Sequence, residues 1–177
     1  MKPAHATRGF TLVEALVVIA LLGIVAVATI PVLRSPAPAK LDAAATEVGN
    51  VLRFVVSETS RSGTYLFVDA SIDGRLRVFN SNAAGAQLGN AADPLTKGAL
   101  QVDASAPPWS GDINMSASFL QGGNAYKQLL VGPGAQLVVF DGGASRGAMQ
   151  SGSGITLSLG GASATVGLET TGRVTLP

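Results

Sequence analysis

The sequence predicts an α+β fold, with a long N-terminal hydrophobic helix followed by a mostly antiparallel β-sheet domain. Three observations carry that expectation. An uncharged apolar run near the N-terminus has the length of one long helix, and residues 41–61 continue with apolar positions at helical spacing. Beyond Gly63 the apolar period falls towards two, in short segments separated by Gly-rich turns.

The composition limits what such a chain can do. Of 177 residues, 47% are hydrophobic and only 13% charged, so the chain has the apolar content to form a core and is not disordered. There is no cysteine, which excludes a disulfide framework and a thiolate metal site, and the single histidine, His5 near the start of the chain, argues against a His-based triad or a His cluster for zinc. Twelve basic residues against eleven acidic ones leave a formal charge of +1, so no global field draws nucleic acid.

The first element begins after a short polar stretch, residues 1–9, that holds Lys2 and Arg8 and no acid. Residues 10–33 then form an apolar run of 24, broken only by Glu14. A helix needs about 20 residues to cross the hydrocarbon core, so this run is long enough if Glu14 lies near one face. The preceding cations put the N-terminus in the cytoplasm and the rest outside. Three readings of the segment compete. One is a signal peptide cut at Ala37-Pro38-Ala39, releasing an exported binding domain. A plain single-pass anchor is the second, and it leaves a carboxylate in lipid unexplained.

The third reading rests on Arg8-Gly9-Phe10-Thr11-Leu12-Val13-Glu14, which resembles the type IV prepilin processing motif. The resemblance implies that prepilin peptidase cuts between Gly9 and Phe10 and that Phe10 is N-methylated. It also implies that Glu14, fifth from the new amine, neutralises the N-terminal amine of a neighbouring subunit during assembly. Such a charge pair offsets the desolvation each group would suffer alone. Pro31, twenty-second after the cut, falls where pilins place a helix-kinking proline.

Ser35-Pro36-Ala37-Pro38 is expected to loosen or end the first helix. An amphipathic helix then resumes, with Leu41, Ala44, Ala45, Val48, Val51, Leu52, Val55 and Val56 on one side and a stop at Ser62-Gly63. Its stripe should pack on a sheet. Tyr65–Asp69 and Arg75–Phe79 read as a strand hairpin. The Ala-, Asn-, Gly- and Pro-rich stretch 80–111 reads as a long surface loop with a short strand near Leu100–Val102, and Trp109 as a packed anchor within it. Further strands are expected at 113–120, 128–131, 136–141, 155–159, 164–169 and 173–176.

This arrangement is similar to the GspH/FimT family, the H-type minor pseudopilins of type II secretion and the FimT-like minor pilins. In that family an Arg-containing helix end precedes a hairpin, matched here by Ser57–Arg61 and Tyr65–Phe79. A Gly-Arg-hydrophobic terminal strand is matched by Gly172-Arg173-Val174. The resemblance implies a pilin-like fold in four parts: a leader over 1–9, a transmembrane and filament-core helix over 10–33, a linker and amphipathic helix over 34–62, and a periplasmic β-domain over 63–177. It implies prepilin peptidase, other major and minor pseudopilins and an inner-membrane assembly platform as partners. No cofactor and no catalysis are implied. The expected location is the inner membrane, with the domain in the periplasm. Type II secretion and a type IV pilus, including one used for DNA uptake, both remain open.

Chemistry elsewhere is sparse. Asp69, Asp73 and Asp141 are candidate cation ligands, although turn acids bonding local backbone are the commoner meaning. Gly132-Pro133-Gly134 and Gly142-Gly143-Ala144 lack the Lys-Ser/Thr of a phosphate loop, and Gly152-Ser153-Gly154 lacks a nucleophile elbow's context. Arg75 and Arg77 share a strand face, and Arg61, Arg146 and Arg173 are candidates to join them. With Lys2 and Arg8 removed, ten basic residues face eleven acids, so solvated strand charges account for them better than DNA binding does.

Overall fold

The structure, a computed structural model, describes residues 11–29, 37–109 and 113–177. Lys2, Arg8, Gly9, Phe10 and Pro31, and with them the cleavage, methylation and kink positions, lie outside the described residues. The chain divides into two units, Met1–Pro36 and Ala37–Pro177, each considered by itself.

In the first unit, α1 runs Leu12–Thr29. Apart from Glu14 it is built of apolar and small residues on every side, and Leu12, Val13, Leu16, Ile19 and Leu22 are exposed. A helix apolar all round is a core or membrane element rather than a surface one. Its 18 residues rise about 27 Å, slightly less than a bilayer's hydrocarbon thickness. No helix among the described residues is long and apolar enough to cross a membrane.

The second unit begins with α2, Ala37–Ser62. Pro38 sits in its first turn, where the missing N–H costs nothing. Gly63, with φ +70°, ends it by donating its N–H to the Thr59 carbonyl at 3.1 Å. Leu41, Ala44, Ala45, Val48, Leu52 and Val55 form the buried stripe, as the spacing predicts.

Two sheets pack around this helix. The first has seven strands: β1 (Tyr65–Asp69), β2 (Arg75–Ser81), β3 (Gln87–Asn90), β4 (Gln101–Asp103), β7 (Gln128–Gly132), β8 (Gln136–Asp141) and β9 (Ala144–Ala148). Their order is β3-β2-β1-β7-β8-β9, with β4 also paired to β2. The second sheet has β5 (Asn114–Gln121), β6 (Asn124–Tyr126), β10 (Ser153–Leu159), β11 (Ala162–Leu168) and β12 (Val174–Thr175), in the order β12-β11-β10-β5-β6. Every pairing is antiparallel. α2 touches β1, β4 and β7 of one sheet and β10, β11 and β12 of the other, so its stripe closes a core shared by both.

The stretch 80–111 is not a plain surface loop. It supplies β3 and β4, an isolated bridge between Ala92 and Ala99, and core side chains Ala91, Leu100, Val102 and Ala104. Trp109, 8% exposed, is anchored in the same core.

Strand alternation puts Leu66 and Val68 towards α2 and Tyr65, Phe67 and Asp69 on the opposite face of the first sheet. On that outer face Phe67 pairs across strands with Phe79 and Leu130, and Leu130 with Val138. These residues and Phe140 form a second, smaller cluster, with Phe67 and Phe140 meeting edge to face at 5.4 Å between centroids. The turn between β2 and β3 folds over it. Gly85, at φ +80°, lies so close to the Phe140 ring that a Cβ would collide with it. Only glycine fits that position on both counts.

Candidate functional site

Of the processing, kink and assembly positions read from the sequence, the structure describes Glu14, and it is half of a reciprocal cap. Thr11 precedes α1, and its carbonyl accepts the first helical bond, from the Ala15 N–H at 3.1 Å. The Thr11 Oγ1 accepts from the Glu14 N–H at 3.3 Å, while Glu14 Oε2 accepts from the Thr11 N–H at 3.2 Å and from its hydroxyl at 3.1 Å. This is a capping box, which satisfies two donors that the first turn would otherwise leave bare. It also holds the carboxylate at the positive end of the helix dipole. The bonds from Thr11 fall on Oε2 alone. Thr-x-x-Glu was legible as a cap in the sequence, but the acid was read there for assembly only.

Among the described residues, the candidate arginines each face an acid. Arg75 and Arg77 both project from the outer face of β2, yet each has its own acid: Asp103 at 2.9 Å and Asp69 at 3.0 Å. Arg61 pairs with Glu58, Arg146 with Asp141 and Arg173 with Glu169. A phosphate would have to displace a carboxylate at every one of these positions. The acids considered as cation ligands are divided the same way, with Asp69 on Arg77, Asp141 on Arg146 and Asp73 on Lys127 at 2.9 Å. Among the described residues no group of side chains is arranged to hold a metal ion.

The glycine-rich segments are turns. Pro133–Ala135 is a short 3-10 turn between β7 and β8, and Gly142-Gly143 joins β8 to β9. Ser153 is buried, accepting from the Leu120 N–H at 2.8 Å and donating to the Gln150 carbonyl at 2.7 Å. Its hydroxyl ties β5 to β10 and is not presented as a nucleophile.

Among the described residues Asp69 is the one buried charged side chain, at 5% exposure. Burial alone would raise its pKa, but hydrogen bonds from Ser71 and Gln128 and the charge of Arg77 together hold it below the ordinary carboxylate value. A carboxyl whose folded pKa is depressed contributes stability that is present above its unfolded value, about 3.9, and lost as pH falls through the folded one. Asp69→Asn is therefore expected to lower unfolding free energy at pH 7 by about 1–3 kcal/mol. The gap from the parent protein should close as urea melts are repeated below about pH 4. A gap independent of pH would contradict the assignment.

Comparison with known proteins adds two findings. Residues 5–30 match the model of the prokaryotic N-terminal methylation motif, a segment that spans Gly9, Phe10 and Glu14. The chain is similar in fold to the minor pseudopilin EpsH of the type 2 secretion system of Vibrio cholerae, with a TM-score of 0.52 and 14% identity over 78% of this chain and 96% of that one. It is also similar to the type IV minor pilin FimU of Pseudomonas aeruginosa, with a TM-score of 0.50 and 14% identity over 79% of this chain and 90% of that one. No curated protein matches the sequence. The chain is thus prepilin-like at its N-terminus and minor-pilin-like in fold, with a helix leading into a mostly antiparallel β-domain.

Proposed function

We propose that this chain is a minor pseudopilin of a type II secretion system. Prepilin peptidase cuts after Gly9 and Phe10 is N-methylated. Residues 10–33 then hold the subunit in the inner membrane, N-terminus cytoplasmic, with the β-domain over 63–177 in the periplasm. An assembly platform draws it, with other major and minor pseudopilins, into a short filament at whose tip it sits, and that filament helps to export folded proteins. Its role is structural, without catalysis or a cofactor.

The observation that carries this reading is the methylation motif over residues 5–30, which gives the basic leader, Gly9, Phe10 and Glu14 one common purpose. The likeness of fold to EpsH is consistent with it. The comparable likeness to FimU supports a second reading, a FimT-like minor pilin of a type IV pilus. Deleting the chain separates the two: lost export of secreted proteins with intact pili fits the first, and lost pili with intact export fits the second.

The deciding experiment is the intact mass and N-terminal sequence of protein extracted from membranes. The expected product begins at N-methylated Phe10. A soluble chain beginning at Lys40 would overturn the proposal and make this an exported domain released by signal peptidase.

A further inference from the structure

A cleft of about 640 Å³ opens beside β6, β7 and the β8–β9 turn, a size within the range of small-molecule sites. Asn124, Tyr126, Lys127, Gln128, Asp141 and Arg146 are among its walls. A second hollow of about 390 Å³ lies beneath the turn at 84–87, and Gln128 lines both. None of these side chains lies on the N-terminal helix.

Three features select the chemistry of a ligand. First, β7 is paired on both sides, by β1 and β8, and β8 by β7 and β9. These two strands have no free edge to which a peptide could add, so a ligand over them is recognised by side chains, whereas β6 and β9, which also line the cleft, end their sheets. Second, charge is balanced within the walls. Lys127 is held by Asp73 at 2.9 Å and Arg146 by Asp141 at 2.8 Å, which leaves no surplus cation for a phosphate or carboxylate. Third, the polar groups are of the kind that exchange hydrogen bonds with hydroxyls. Asn124 and Gln128 bring amides, Asp141 a carboxylate and Arg146 a guanidinium that stacks 5.9 Å from the Tyr126 ring centroid. The Gln128 amide N–H faces Asp69 Oδ1 at 3.5 Å, and its own Oε1 is buried with no hydrogen-bond partner. An acceptor left in that state is one a ligand hydroxyl or amide can complete once the side chain adjusts.

We propose that this cleft binds a neutral oligosaccharide. Hydroxyls both donate and accept, matching the mixture of amide, carboxylate and guanidinium, while a C–H face of the sugar meets the half-buried Tyr126 beside Arg146. The inference is independent of which filament the chain joins.

The test uses the full chain in a zwitterionic detergent without a sugar headgroup. Cellotriose, maltotriose and chitotriose are titrated in, with amide chemical shifts followed by NMR and glucose 6-phosphate as the charged comparison. At least one trisaccharide is expected to shift amides of β6 and the β8–β9 turn. Gln128→Met and Asn124→Ala should each weaken that binding about tenfold, the scale of one lost hydrogen bond in a desolvated site. Asn124 is exposed, so its variant probes the cleft without disturbing the core. The proposal falls if none of the three binds at millimolar concentration. It falls equally if the sugar phosphate binds more tightly than all of them, or if binding survives both substitutions.

Discussion

Glu14→Gln is expected to leave cleavage after Gly9 and methylation of Phe10 intact while abolishing incorporation of the chain into filaments. The substitution separates the cap from the interchain charge pair proposed for this carboxylate. In the capping box, Glu14 accepts from the Thr11 N–H and hydroxyl, and a glutamine oxygen can do the same. Helix initiation therefore survives in Glu14→Gln. The negative charge does not, and a neighbouring amine entering an apolar filament core would lose its counter-charge, at a cost of several kcal/mol. That is a loss of two or more orders of magnitude in incorporation. Thr11→Val is the converse variant. It removes the hydroxyl from the cap, costs about 0.5–2 kcal/mol of helix stability, and leaves the charge in place. The measurement is the ratio of chain in sheared filaments to chain in the membrane. If Glu14→Gln assembles normally while Thr11→Val does not, the carboxylate serves the cap alone and the interchain role is wrong.

Where burial imposes a period, the sequence was readable. The stripe from Leu41 to Val55 and the strands Tyr65–Asp69 and Gln136–Asp141 occupy their expected positions because each must hide one set of side chains in the shared core. The strands that were missed carry no such pattern. Gln87–Asn90 is exposed along its whole length, Ala144–Ala148 is largely exposed, and Asn124–Tyr126 has three residues. All three lie at sheet edges and exist because a neighbour's backbone offers hydrogen bonds, which side-chain identity does not announce. The outer cluster of Phe67, Leu130 and Phe140 was hidden for a related reason. Its burial depends on the β2–β3 turn crossing the sheet face, a long-range event with no local mark beyond Gly85. At the level of the site, spacing made Asp69, Asp73 and Asp141 look like a set. Sequence does not say which cation each one faces, and the fold gives each a different partner.

Leu52→Ala is expected to be the most damaging single truncation in the domain, lowering its unfolding free energy by about 3–5 kcal/mol. Leu52 is 1% exposed on α2, whose stripe meets strands of both sheets. A void at this position lies between layers that are each fixed by their own strand pairings, so neither can move in to fill it. The remaining side chains lose transfer energy and packing together. Domains of this size are stable by roughly 5–15 kcal/mol, so the variant should melt far below the parent or accumulate poorly. Leu52→Met nearly conserves volume and should cost under about 1.5 kcal/mol, which separates a cavity from any need for leucine itself. Chemical unfolding monitored by circular dichroism in the strand region provides the readout. A loss below about 1 kcal/mol for Leu52→Ala would mean that the sheets collapse onto the gap, and that α2 is a lid on the core rather than its centre.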